Sequence, residues 1–278
     1  MKRRSFLASL SLAAVAAAKS ALGQQNGPSP QQESSPAPDR LRIVTWNVAC
    51  GQWCTPREVA NALVDRKPDL VLTNETPKFN QGMAAPDWSG EMARHLGLTH
   101  VYVGSVSSAH HRAPRWGDVT GRYGGKFKSI LSRWPISNTH DYTLEGEGWS
   151  PASAIRVQVR IGEADWAVYS LHVPGQREWE PSKHRRLAED VLAHEPLKNL
   201  LVGGDFNVRT ESKVLSKLKE SAGLENAITE RAIDHILYRS DHGARVVGSG
   251  IDRGPEGKGP RGGLSDHPYA WAELMLNT

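Results

Sequence analysis

Cysteine is close to absent: Cys50 and Cys54, in Cys-Gly-Gln-Trp-Cys, are the only two among 278 residues. Zinc binding by this pair alone is disfavoured, because zinc takes four ligands as a rule and no other thiol or His pair stands nearby. A short disulfide loop and two reduced thiols both remain open outside the cytosol. An apolar run able to span a bilayer is also missing. The Ala-rich stretch from Phe6 to Ala18 would make a helix of roughly 20 Å, against a hydrocarbon core of ~30 Å. Nor does the body of the chain carry an excess of charge. The formal net charge is +4, but Lys2, Arg3, Arg4 and Lys19 lie before Gln24, where no Asp or Glu occurs. Of 34 basic residues the remaining 30 face 30 acidic ones, so global charge gives no ground for nucleic-acid binding. That would need a local basic patch. Internal repeats and a second linker are missing too, which leaves one domain.

What is present begins with Met-Lys-Arg-Arg, the short apolar run, and small residues around Ala21-Leu22-Gly23. That order describes a secretory signal over residues 1–23. Arg3-Arg4-x-Phe6-Leu7 resembles the twin-arginine type, which exports folded proteins, so a periplasmic or secreted bacterial location is expected. A retained N-terminal anchor is the competing reading. Residues 24–40, rich in Gln, Ser and Pro, form a solvated linker. Residues 41–278 suffice for one α/β domain, expected to act as a monomer.

Strand-like runs rich in Val, Ile, Leu and Trp recur at 41–46, 69–73, 99–103, 129–131, 154–160, 166–171, 199–202, 233–238, 244–248 and 269–275. Helical periodicity is rarer. Thr55-Pro56-Arg57-Glu58 is a capping box that opens a helix through Arg66, with Val59, Leu63 and Val64 on one side. Helices are also expected at 89–96, 181–194 and 211–222, the last closed by Gly223. A Gly-, His- and Arg-rich loop fills 105–125. Strands outnumber helices about two to one, which predicts two packed sheets with helices outside them, and not a doubly wound parallel sheet.

Polar residues interrupt or end these apolar runs at six places. Asn47 ends the first run and Asn74-Glu75 the second; His172 ends another. Gly203-Gly204 leads into Asp205-Phe206-Asn207, Asp234-His235 sits inside an apolar strand, and Ser265-Asp266-His267-Pro268 precedes the last strand. Burying a carboxylate is costly unless it is paired, hydrogen-bonded or metal-bound. Six interruptions of metal-ligand or acid–base type are hard to explain as accidents of a core.

Taken in order, Thr45-Trp46-Asn47, Asn74-Glu75, the run Ser129 to Ile136 (Ser-Ile-Leu-Ser-Arg-Trp-Pro-Ile), Leu171-His172, Gly204-Asp205-Phe206-Asn207, Ile233-Asp234-His235-Ile236 and Ser265-Asp266-His267 resemble the endonuclease/exonuclease/phosphatase superfamily. Each motif is weak alone; seven in order are not. The resemblance implies a four-layer α/β/β/α sandwich of two mainly antiparallel sheets, with the site at one end. It also implies an enzyme, a metal-dependent phosphoric ester hydrolase. Glu75, supported by Asn47 and Asp266, would hold one or two cations, Mg²⁺ or Mn²⁺, a hard-oxygen set suited to such ions. His267 would be the base or water-orienting group and Asp234 would fix its tautomer. Asp205 would orient water or the leaving group, Asn207 would donate to a phosphate oxygen, and His172 would be a second imidazole. His172 also reads as a satisfied core histidine. His235 should face the opposite side of its strand.

Two departures from the family pattern stand out. Asn74 replaces the Gln that often precedes the metal Glu, and Lys126-Phe127-Lys128-Ser129 stands where Gly-Asn-Ala commonly leads into Leu-Ser-Arg. Around them, His110, His111, Arg112, Arg115, Trp116, Arg122, Tyr123, Lys126 and Lys128 mix cations with aromatics, a combination that can hold phosphates and stack a base. A solvated basic loop is the plainer reading, as it is for Lys183-His184-Arg185-Arg186. The expected activity is exported phosphodiester hydrolysis, with nucleic acid as one substrate. A phosphomonoester, an inositol phosphate or a sphingomyelin-like head group is the alternative, for which Trp149 and Trp179 give little support. A catalytically silent binding module is the third reading.

Overall fold

The computed structural model describes residues 38–78, 87–105, 124–144, 153–173, 186–241, 243–259 and 262–277. The signal, residues 24–37 of the linker, the cation- and aromatic-rich loop over 106–123, Trp149, Trp179 and residues 181–185 lie outside them. Among the described residues no helix is long and apolar enough to cross a membrane.

Among the described residues, twelve strands form two six-stranded sheets. The first contains β1 (Arg40–Asn47), β2 (Leu70–Lys78), β3 (His100–Val103), β4 (Gly124–Ser132), β11 (Arg245–Asp252) and β12 (Tyr269–Met275), in the order β11-β12-β1-β2-β4-β3. The second contains β5 (Ile136–Thr143), β6 (Ser153–Ile161), β7 (Ala164–His172), β8 (Asn199–Asp205), β9 (Glu225–Asn226) and β10 (Asp234–Arg239), in the order β5-β6-β7-β8-β10-β9. Each sheet has one parallel pair, β1 with β2 and β7 with β8; the other pairs are antiparallel. Helices α1 (Pro56–Leu63) and α2 (Trp88–Leu96) cover the first sheet, while α3 (Lys213–Ala222) and a π-wound segment, Leu187–Leu192, cover the second.

Period-two alternation sorts the side chains into three apolar layers. Leu41 and Ile43 of β1, with Leu70 and Leu72 of β2, meet Val168 of β7, Leu201 of β8 and Ile236 of β10 between the sheets. The other faces turn outward: Val44, Trp46 and Val71 pack under α1 and α2, and Tyr169, Leu171 and Val202 under α3. This is the α/β/β/α sandwich that the sequence predicts. The capping box holds as read, with Thr55 Oγ1 accepting from the Glu58 N–H at 3.2 Å and Glu58 Oε2 accepting from the Thr55 N–H at 2.8 Å. Helix α1 is shorter than expected: residues Val64–Arg66 tighten into a 3-10 turn, and Val64 is exposed, not part of the apolar side.

The Arg of the Leu-Ser-Arg motif turns out to be structural. Arg133 pairs with buried Asp69 at 3.0 Å, and Arg42 binds the same carboxylate at 3.1 Å. Both close the end of the first sheet where β2 begins.

Candidate active site

Because β1 and β2 run parallel, both present their C-terminal ends on one side, as do β7 and β8. The antiparallel neighbours β12 and β10 present their beginnings on that same side. Alternation then points Asn47, Asn74, His172, Asp205 and Asp234 into the space between the sheets, beyond the last apolar residues of that layer.

The side chains form one connected set. Asn47 donates its amide to Asp205 Oδ2 at 3.1 Å, and its Oδ1 accepts from the Ala49 N–H at 3.0 Å. His172 Nε2 lies 3.4 Å from Asp205 Oδ2 and Nδ1 lies 3.9 Å from Glu75 Oε1. His267 Nδ1 and Asp234 Oδ2 are 2.9 Å apart, and His267 Nε2 is 3.8 Å from Asp205 Oδ2. Asn207 donates to the Val173 carbonyl at 2.8 Å, with the same nitrogen 3.4 Å from His172 Nε2. The outlier is Asp266, exposed on the rim and touched at 3.3 Å by the Ser265 hydroxyl.

Local backbone shape aims two of these residues. Glu75 and Asn207 both have positive φ, 48° and 52°. For Glu75 the cause is a bulge: Thr73 pairs with Ser129 but Thr76 with Phe127, which puts an extra residue on β2. By strict alternation Glu75 would turn away from Asn74; the bulge turns it toward His172 instead. A non-glycine residue in this region costs of order 1–3 kcal/mol and persists only when its surroundings enforce it.

Several residues needed for this geometry were not assigned a role from sequence. Asn74, noted only as a short amide, ties the sheets together: its Nδ2 donates to Ser170 Oγ at 3.1 Å and its Oδ1 accepts from the Asp205 N–H at 2.8 Å. Ser265 Oγ donates to the Asn47 carbonyl at 2.7 Å and accepts from the His267 N–H at 3.2 Å. The signal was there in a Ser two residues before the His, the spacing of a hydroxyl turn. Trp46 Nε1 donates to the His267 carbonyl at 2.9 Å, pinning the approach to β12. Neither cysteine is in a disulfide; Cys54 is buried, and the Cys50 thiol reaches Glu75 Oε2 at 3.4 Å.

Charge in the site is dominated by carboxylates. Burial raises Asp205 above the ordinary carboxylate range and Asp234 adds to this, while His267 and His172 pull the other way. Burial alone would lower His267, but the carboxylates of Asp234 and Asp205 outweigh it and push it up to about 10. Asp205, Asp234 and His267 each offer a ligand atom within 4.8 Å of the others. The 2.9 Å hydrogen bond between two of them marks a carboxylate-oriented imidazole, so this trio is a poorer metal cage than its spacing suggests. A hard cation fits the pocket as a whole: Glu75, Asp205 and Asp234 supply oxygen donors, and the buried Asp234 Oδ1 has no hydrogen-bond partner. Such an oxygen calls for a cation or a water.

His235 faces away, as its position in the strand predicts. Its ring packs edge-on against Phe206 and its Nε2 lies 2.8 Å from the Val208 carbonyl. Burial lowers it to about 4. A neutral form favoured by folding stabilises the protein fully above the unfolded value near 6.5 and loses that contribution as pH falls through 4. We expect on the order of 3 kcal/mol of stability to disappear between pH 6.5 and 4 from this group. His235→Gln should flatten that part of a denaturation-against-pH curve; an unchanged curve would refute the assignment.

The sequence from 44 to 267 matches the model of the endonuclease/exonuclease/phosphatase family. The chain belongs to that family. Solved structures of the same fold include an endonuclease/exonuclease/phosphatase from Beutenbergia cavernae, 18% identical, with a TM-score of 0.66 over 86% of this chain and 72% of that one. The human Nocturnin catalytic domain with bound sulfate is 14% identical, with a TM-score of 0.61 over 87% and 96%. D. rerio TDP2 in complex with a single-strand DNA product is 14% identical, with a TM-score of 0.60 over 85% and 99%. No curated protein matches the chain by sequence. As a member of the family the chain has the fold of phosphoester-bond hydrolases, and its acidic and imidazole cluster lies at the strand ends described above.

Proposed function

We propose that this family member is an exported phosphodiesterase that uses a divalent cation, Mg²⁺ or Mn²⁺, and accepts nucleic acid among its substrates. The observation carrying this reading is the convergence of His172, Asp205, Asn207 and the Asp234–His267 pair around one small space between the sheets. Glu75, with Asn47 and the rim carboxylate Asp266, would hold the cation, which would supply positive charge to a phosphate oxygen and acidify a water. His267, oriented through Nδ1 by Asp234, faces the pocket with Nε2 and moves a proton there. Asp205 receives Asn47 and stands between both imidazoles, placed to orient water or the departing oxygen. Asn207 and His172 donate to the phosphate, where charge grows as the ester breaks.

Bound sulfate in Nocturnin and a DNA product in TDP2 support an oxyanion and a nucleic-acid strand as ligands of this fold. Export rests on the leader of residues 1–23, and the expected site of action is the periplasm or the exterior. Purified protein should cleave bis-nitrophenyl phosphate, lose at least about 100-fold of that rate in chelator, and recover with Mg²⁺ or Mn²⁺. Full activity in chelator would remove the cation from the proposal. A panel of plasmid DNA, RNA, sphingomyelin and inositol phosphates then identifies the ester.

A further inference from the structure

Lys128 is the residue whose place in the structure departs furthest from its sequence reading. Its position in a cation-rich stretch leaves two readings open, a phosphate-holding group and a solvated loop. It lies within β4 and is fully buried. Its neighbour Ile130 belongs to the layer between the sheets, so alternation sends Lys128 into that same space. There its ammonium donates to the Ser153 hydroxyl on β6, crossing from one sheet to the other. Ser153 pairs directly with His172, and the two side chains share a face, so they stand about 5 Å apart at their Cβ atoms. The β2 bulge that carries Glu75 lies opposite Lys128, between the Thr73–Ser129 and Thr76–Phe127 pairings. The ammonium thus sits beside the His172 and Glu75 end of the pocket, the side away from His267.

Burying an ammonium is costly, and a cost of this kind is retained where charge is needed. The pocket already holds Glu75, Asp205 and Asp234. An anionic phosphate entering beside three carboxylates needs fixed positive charge, and His267 lies on one side only. Lysine carries three donors, enough to hold Ser153 and a phosphate oxygen together. We propose that Lys128 is a phosphate-binding residue of this site, placing its ammonium on a non-bridging oxygen across from His267. This rests on the phosphodiesterase reading for its biological meaning, but its test does not require turnover.

Inorganic phosphate is titrated into the full chain in chelator, by calorimetry or phosphorus NMR, for wild type, Lys128→Met and Lys128→Arg. Met matches the length of the stem without charge; Arg keeps the charge. Loss of a charge-assisted hydrogen bond should weaken binding by about 10- to 100-fold in Lys128→Met and by far less in Lys128→Arg. Should the Met variant fail to fold, the Nζ signal of Lys128 in ¹⁵N-lysine-labelled wild type, assigned by its absence in Lys128→Arg, must move on addition of phosphate. Equal phosphate affinity in Lys128→Met, no movement of that signal, or no phosphate binding by the wild type overturns the proposal. Phosphate affinity that depends on Lys128 in a chain cleaving no ester would uphold this site and sink the phosphodiesterase reading instead.

Discussion

Replacing His267 with alanine is expected to cut kcat/KM on an activated phosphodiester by roughly 10³-fold, the usual scale for a lost acid–base group, with Tm moved by only a few degrees. Both halves follow from the same contacts. Whereas the other imidazole, His172, approaches Asp205 without the Asp234 contact, the ring of His267 is held by Asp234 at 2.9 Å and reaches Asp205 at 3.8 Å. With the two carboxylates pushing it up to about 10, the imidazolium is the standing form in the isolated pocket at neutral pH. Its Nε2–H is a donor by default, and it accepts a proton only once positive charge enters beside Asp205. Removal takes away one half-buried side chain that belongs to none of the apolar layers, and every strand pairing stays in place. Stability therefore suffers little while chemistry stops. Asp234→Asn should fall by a comparable factor, because it preserves shape and spoils the tautomer. Turnover within tenfold of wild type in His267→Ala would show that the proton is handled elsewhere.

The largest stability loss should come from Gly204→Ala. Gly204 has φ +151°, and a Cβ there would lie 2.0 Å from the Leu171 carbonyl oxygen and 2.9 Å from its carbon. These atoms are backbone of the neighbouring strand, so nothing can rotate aside. The substitution must push β8 from β7, where His172 pairs with Asp205. We expect at least about 4 kcal/mol of destabilisation, a fall in Tm on the order of 10 °C, and activity lost in whatever remains folded. Gly223→Ala is the control: φ is +63° but nothing stands within 4 Å of its added Cβ, so the cost should be only about 1 kcal/mol. Equal losses at the two positions, measured by denaturant unfolding, would mean that backbone conformation and not the close approach of β7 and β8 decides.

Much of this site was legible because burial is alternating and chemistry is sparse. Asn47, His172 and Asp205 end apolar strands and Asp234 begins one, each in register with the buried face, and a polar residue in that register enters the space between the sheets. The signals failed where backbone geometry overrides alternation. Nothing in Thr-Asn-Glu-Thr announces a bulge, so the aim of Glu75 could not be read from spacing. Lys128 is hard to place for the complementary reason: local composition around it is loop-like, and only its position in β4, reaching Ser153 of the other sheet, makes it a buried strand residue. Strand β5 carries no apolar pattern in its sequence, because most of its residues are exposed and polar. Helix α3 starts at Lys213, two residues later than the sequence predicts, because Ser212 caps it.

The position of β1 has a consequence for how the molecule is made. Among the described strands it is the first to leave the ribosome, yet one of its two partners, β12, is the last of them. Until Tyr269–Met275 emerges, one edge of β1 offers unpaired amides and carbonyls to any passing strand, and Trp46 waits 221 residues for the carbonyl its indole will bind. Closure of this sheet must therefore await β12 and is slowed by its long range. A nascent chain arrested before residue 269 should be a client for holdase chaperones and not a nearly finished enzyme.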